Sequence, residues 1–178
     1  QNPNVERYAW FMPRTSGKVD SAPYMQLLTH GSPVELTPLG QIFTQFSSFD
    51  KTAYLSLEKG VGAHQYIALN NENISLRVAE NNQIYVFSFM QGQWFDYQVN
   101  IQQKNPLQIQ YATIVNTQLC VYVDGVAQAI IELRKTADLQ TSATFTTTFV
   151  PPVGNHTIRI EALKGTFNCY QIHNSTQL

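Results

Sequence analysis

The side chains of this chain that could do chemistry are few and scattered. Carboxylates such as Glu58, Glu80, Asp96, Asp124 and Glu161 fall on turns or on the polar sides of alternating runs. No two of them are spaced so that one could serve as the acid and the other as the nucleophile of glycoside hydrolysis. His30, His64, His156 and His173 lack the spacing of metal ligands, and neither cysteine has a second one close by. Serine elbows and phosphate-cradling glycine loops are absent. Asp124 stands directly before Gly125 and reads as a turn residue. The sequence therefore carries no active site of its own, is not expected to be an enzyme, and calls for no cofactor and no metal.

Aromatic residues are more informative. Trp94 lies on the polar side of an alternating run, where a large ring needs something to cover it. An indole there can be a platform for a sugar ring, whose axial C–H face packs on the π surface. It can equally be a packing anchor under a loop or against a neighbouring domain, the commoner use of such a ring. Tyr122 offers a second ring on a similar strand.

The element that positions Trp94 is Gly92–Ile101. Phe95, Tyr97, Val99 and Ile101 point one way, and Trp94, Asp96, Gln98 and Asn100 the other, which marks a strand with one buried and one wet face. From Ala53 onward this period of two persists. Strands are expected near residues 54–57, 65–69, 84–89, 94–101, 107–115, 119–123, 127–133, 144–150, 157–162 and 166–173. Gln91-Gly92, Asn105-Pro106, Asp124-Gly125 and Pro152–Asn155 supply the turns. Many short strands at this spacing predict a two-sheet sandwich.

The first part of the chain differs. Val5–Phe11 suits a short buried strand, and Thr37-Pro38 is a helix start, with an N-cap residue before proline at the first helical position. Leu39, Ile42, Phe43 and Phe46 then form one apolar stripe, predicting a helix from Pro38 to about Ser47. That stripe must find an apolar surface to cover it.

Composition excludes several partners. Of 178 residues 43% are apolar, enough to build a core, and the net charge of −1 leaves no electrostatic footprint for nucleic acid or an anionic membrane. No apolar run reaches spanning length. Charged residues make up 13%, about half the usual share, and Gln, Asn, Thr and Tyr take their place. Cys120 and Cys169 are read on opposite sheet faces, so two separate thiols are expected.

Four pieces in order resemble the family 6 carbohydrate-binding modules, which are β-jelly-rolls. They are Gly92-Gln-Trp-Phe-Asp-Tyr-Gln-Val, Val121-Tyr-Val-Asp-Gly125, Gly154-Asn-His-Thr-Ile-Arg-Ile160 and Phe167-Asn-Cys-Tyr-Gln-Ile172. Residues 1–50 resemble the last strand and last helix of a clan A (β/α)8-barrel glycoside hydrolase. With the sandwich of residues 51–178 they are most similar to the agarase and porphyranase group, glycoside hydrolase family 86. The resemblance implies an all-β jelly-roll sandwich preceded by a barrel-terminal strand and helix, in a bacterial enzyme that is secreted, cell-surface or periplasmic. The partner it implies is the catalytic barrel of that enzyme, with agar, porphyran or a β-glucan as polysaccharide. Trp10 would then line the substrate cleft.

Departures from the family pattern shape the expected role. The resemblance implies a structural calcium, but Leu69 and Tyr170 stand near where its acidic ligands would be. It also implies a loop-tip sugar site clamped by two aromatics beside an asparagine. Thr136–Leu139 and Asn73–Leu76 carry no ring there, and only Asn168 remains. The leading reading is a non-catalytic domain that packs on and supports the barrel. The alternatives are a working binding module using another surface around Trp94 or Tyr122, and an adhesion or scaffold domain.

Overall fold

The protein, analysed as a computed structural model, is described at residues 27–29, 32–47, 52–70 and 74–174. It divides into two compact units, Gln1–Ser47 and Ser48–Leu178. Val5–Phe11 and Trp10 lie outside the described residues.

In the first unit the helix α1 spans Pro38–Ser47. Its start is built as the sequence predicts: the Thr37 hydroxyl accepts a hydrogen bond from the Gly40 amide at 3.0 Å, satisfying one of the donors a helix N-terminus leaves open. Glycine at position 40 is required by space, because a Cβ there would lie 2.1 Å from the Leu27 carbonyl oxygen.

The second unit is all strand: β1 Leu55–Ser56, β2 Val61–Gly62, β3 Ala68–Leu69, β4 Ser75–Val78, β5 Ile84–Met90, β6 Trp94–Ile101, β7 Gln108–Ala112, β8 Thr117–Val123, β9 Val126–Leu133, β10 Ala143–Thr146, β11 Gly154–Lys164 and β12 Thr166–His173. Sheet one has the order β1-β6-β11-β8-β9, with β3 also on β6; sheet two has the order β10-β7-β12-β5-β4, with β2 also on β12. All pairings are antiparallel except β1 with β6.

Strand β6 alternates half-buried and buried residues along its whole length, as its sequence requires. Its inward rings meet those of sheet two: Phe89 lies 4.4 Å from Phe95 and 5.0 Å from Phe167, centroid to centroid. The Tyr97 phenol, deep in this core, donates to the Ala63 carbonyl at 3.0 Å, so its burial leaves no polar group stranded. Asp124-Gly125 forms the β8–β9 turn with positive φ at both residues (48° and 80°), the geometry of a tight hairpin.

The strands over 107–115 and 144–150 are shorter than their sequence runs suggest. β2 and β4, in stretches the alternation did not mark, add to the sheets. Cys120 and Cys169 are both free thiols, on different sheets. Burial pushes the Cys169 thiol up to about 12.

Candidate functional site

Three surfaces of the sandwich bear on function: the outer face of each sheet, and the loop end where Asn168 stands.

On sheet one the register sets Trp94 opposite Glu161, and Asp96 opposite Arg159, which in turn faces Tyr122. Arg159 is held by both ends of its fork. Its Nε donates to Asp96 Oδ1 at 2.7 Å and one terminal nitrogen to Oδ2 at 2.9 Å. The carboxylate raises the guanidinium's pKa further above its ordinary value. The same guanidinium carbon lies 3.7 Å from the Trp94 ring centre, a cation–π contact that occupies one face of the indole. The Tyr122 phenol is engaged with the Glu161 carboxylate, which pushes its pKa well up. Trp94 and Tyr122 thus share one face and flank one arginine. On that face Asp96 pairs with Arg159, and Glu132 accepts from the Gln118 side-chain amide.

Asn168 lies on the other sheet and is 1% exposed. Its Oδ1 accepts from the Ser88 amide at 3.0 Å, and its Nδ2 donates to the Leu139 carbonyl at 2.9 Å. Tyr170 donates its hydroxyl to the same carbonyl at 3.2 Å. Asn168 therefore ties the Leu139 loop to strand β5 at Ser88, whose φ is +57°. At 1% exposure the amide is closed off from solvent, with both polar atoms engaged inside the fold. At the two positions where the resemblance would put acidic calcium ligands, Leu69 has no side-chain oxygen and the Tyr170 hydroxyl donates to the Leu139 carbonyl.

The outer face of sheet two is a polar trough, and none of its glutamines was singled out from the sequence. One hollow of about 440 Å³ is lined by Arg77, Glu80, Gln83, Gln140 and Ser142, with Tyr85 and Tyr170 in its floor. A second of about 200 Å³ is lined by Glu58, Lys59, Gln110, Thr144, Gln171 and His173. They share a wall, for Gln83 Nε2 donates to Gln110 Oε1 at 2.9 Å, and Gln110 Nε2 donates to Ser142 Oγ at 2.9 Å. Register explains the row: Gln171 pairs with Gln110, and Gln110 with Thr144, across three adjacent strands. Tyr85 and Tyr170 stack at 4.7 Å beneath it.

Glu58, beside this trough, is held ionised by its neighbours. Burial works to raise the pKa of Glu58, but amide donors from Gln102 and Gln103 at 2.7 and 3.0 Å outweigh it and hold the pKa below the ordinary value. Its other oxygen accepts from Ser56 Oγ at 3.0 Å. Glu58 is a capping residue at the end of β6, kept ionised by backbone dipoles.

The second unit is thus a two-sheet β-sandwich with aromatic core layers and a trough of amides and hydroxyls on one sheet. The chain belongs to the carbohydrate binding module family 35, whose family model matches residues 70–172. Among solved structures it is similar to CsCBM6-3 from Clostridium stercorarium in complex with cellobiose, with TM-score 0.62 and 17% identity over 70% of this chain and 98% of that one. A β-1,3-glucan binding CBM6 from Bacillus halodurans gives TM-score 0.61 and 13% identity over 70% and 100%. A native family 35 module from Clostridium thermocellum gives 0.52 and 19% over 66% and 97%. At such identities these likenesses concern the fold alone. No curated protein sequence matches the chain.

Proposed function

We propose that this module binds polysaccharide along the outer face of sheet two, as a non-catalytic part of a secreted polysaccharide-degrading glycoside hydrolase of the agarase and porphyranase type. The observation that carries the reading is the row Gln83–Gln110–Ser142 with Gln171 and Thr144 beside it: neutral donors and acceptors on one face, between two open hollows. Sugar hydroxyls both donate and accept, and amides answer both. Each such bond is worth about 0.5–1.5 kcal/mol net, so four or five place the dissociation constant at roughly millimolar or somewhat tighter. Affinity electrophoresis in agarose, porphyran and β-1,3-glucan gels tests this. Retardation in at least one gel, lost on Gln110→Ala together with Gln171→Ala, is the expected result. Unchanged retardation of that double variant would place the site elsewhere.

A second reading concerns sheet one, and a different observation favours it. Arg159 pairs with Asp96 and His156 with Asp124 on that sheet, while Ile130 and Val126 are 66% and 62% exposed on its edge strand. We infer that this side packs on the catalytic barrel and supports it, with Trp94 and Tyr122 as contact residues rather than sugar platforms. Ile130→Glu would then lower the melting temperature of the whole enzyme but leave the isolated chain unaffected. Equal effects on both would remove the reading.

A further inference from the structure

Two arginines of the sandwich stack on aromatic rings, and they differ in one respect. Arg159 over Trp94 spends its fork on Asp96. Arg77 on β4 sits with its guanidinium carbon 3.4 Å from the Phe87 ring centre, yet it makes no hydrogen bond and no ion pair among the described residues. Phe87 supports the plane of the group from one side and leaves its N–H edges open. Such a guanidinium is already oriented, so little is lost in ordering it when an anion arrives. Its five donors match the paired oxygens of a carboxylate or a sulfate ester. The group lines the larger hollow of the trough described above.

We propose that Arg77 reads an anionic substituent on the bound polysaccharide, so that the module selects a chain carrying carboxylate or sulfate groups. This rests on the sheet-two reading of sugar binding and deepens it. The remaining charges of the trough refine the class of chain. Glu80 lines the same hollow as Arg77 and would repel a second anion there. Lys59 lines the other hollow, next to a Glu58 carboxylate already occupied by the Gln102 and Gln103 amides. The two hollows are also lined by the neutral groups Gln83, Gln110, Gln171, Ser142 and Thr144, with Gln110 bonded to Gln83 and Ser142 across their shared wall. That layout suits a chain in which charged sugars are separated by neutral ones, and disfavours one charged at every residue. The anion contributes a charge-assisted pair in a half-open setting, where salt weakens it without abolishing it.

The experiment is affinity electrophoresis of the full chain in gels of agarose, porphyran and pectate, repeated with added sodium chloride. Arg77→Gln and Arg77→Lys are run beside the wild type, with melting temperatures to confirm folding. Porphyran is expected to bind the wild type about tenfold more tightly than agarose, and salt reduces the difference. Arg77→Gln should erase that preference by bringing porphyran retardation down to the agarose level, and Arg77→Lys should keep only part of it. Tighter binding to pectate than to porphyran would assign a carboxylate in place of a sulfate as the group read, and would overturn the spacing argument. Equal retardation in all three gels, abolished by Gln110→Ala with Gln171→Ala, would overturn the anion proposal and leave the sheet-two reading standing. No retardation in any gel would overturn both.

Discussion

Replacing Asn168 with alanine separates two roles that predict opposite outcomes. In the structure the amide is buried and closes two long-range hydrogen bonds, one from the Ser88 amide and one to the Leu139 carbonyl. Alanine removes both and leaves the Ser88 N–H without an acceptor in an interior site. Two bonds at about 1 kcal/mol each, with the desolvation cost of the stranded donor added, give a loss of about 2–4 kcal/mol. For a unit of this size that is roughly 3–5 °C per kcal/mol, or a fall of about 6–20 °C in melting temperature. Asn168→Asp is at least as damaging near neutral pH, because an acceptor oxygen then faces the Leu139 carbonyl where a donor stood. Calorimetry gives the melting temperature; gel retardation below the transition gives sugar binding. The expected result is a large fall in stability with retardation retained by the folded fraction. A variant that melts within a degree of the wild type but no longer binds sugar would refute the reasoning and restore Asn168 as a ligand.

Three further outcomes follow from the same geometry. Arg159→Met removes the lid of Trp94 and leaves Asp96 unpaired; in a Trp10→Phe background, acrylamide quenching of the indole should rise and stability fall by about 1–2 kcal/mol, and unchanged quenching would deny that the guanidinium covers the ring. Burial lowers the pKa of His64, against a backbone hydrogen bond with Ile84 that raises it, and burial lowers that of His173. The folded state therefore binds fewer protons than the unfolded one below the unfolded pKa of about 6.5, so the stability these residues contribute is full above it and lost as pH falls. The urea midpoint should drop between about pH 7.5 and pH 5.5, and a flat or rising midpoint would contradict the assignment. Chelator should leave the melting temperature unchanged, and a shift of several degrees on adding calcium would show a bound structural ion.

How much of this could be read from the chain depends on whether a feature is local. The strand Trp94–Ile101 was legible because eight residues alternate without a break, and α1 because Thr37-Pro38 is a cap and a start in adjacent positions. Asp124-Gly125 announced its hairpin for the same reason. β4 was not legible. It is an edge strand whose inward Leu76 and Val78 are only half-buried, so its hydrophobic contrast is weak, and Asn70–Asn73 before it is polar. β2 has two residues and is defined by its partners Gln171 and Ile172 rather than by its own sequence. The trough is the extreme case. Gln83, Gln110, Ser142 and Gln171 come from four distant segments, and only the pairing register brings them to one face. The bulge in β12 between Cys169 and Gln171 also breaks the alternation there, which is how Tyr170 comes to lie in the floor of the trough. What the sequence did offer was a row of outward glutamines, Gln108 and Gln110 alternating with Ile109 and Tyr111, and a composition short of charge.

Asn168, the residue to which the resemblance points at the loop tip, is built into the hydrogen bonding of the fold itself. The side chain is the one a loop-tip sugar site would need, and the sequence preserves it while the rings beside it are gone. Whether an amide can bind a ligand depends on what its oxygen and its nitrogen already hold. Here a backbone turn at Ser88 with positive φ aims one N–H at the oxygen, and the Leu139 carbonyl takes the nitrogen. Arg77 is the converse: nothing in Ser75–Val78 marks it as special, yet a ring beneath it and the lack of any described partner leave its donors available. For both residues, burial and partners decide which hydrogen-bonding groups are accessible. That depends on neighbours dozens of residues away, so it becomes readable only once the sheets are assembled.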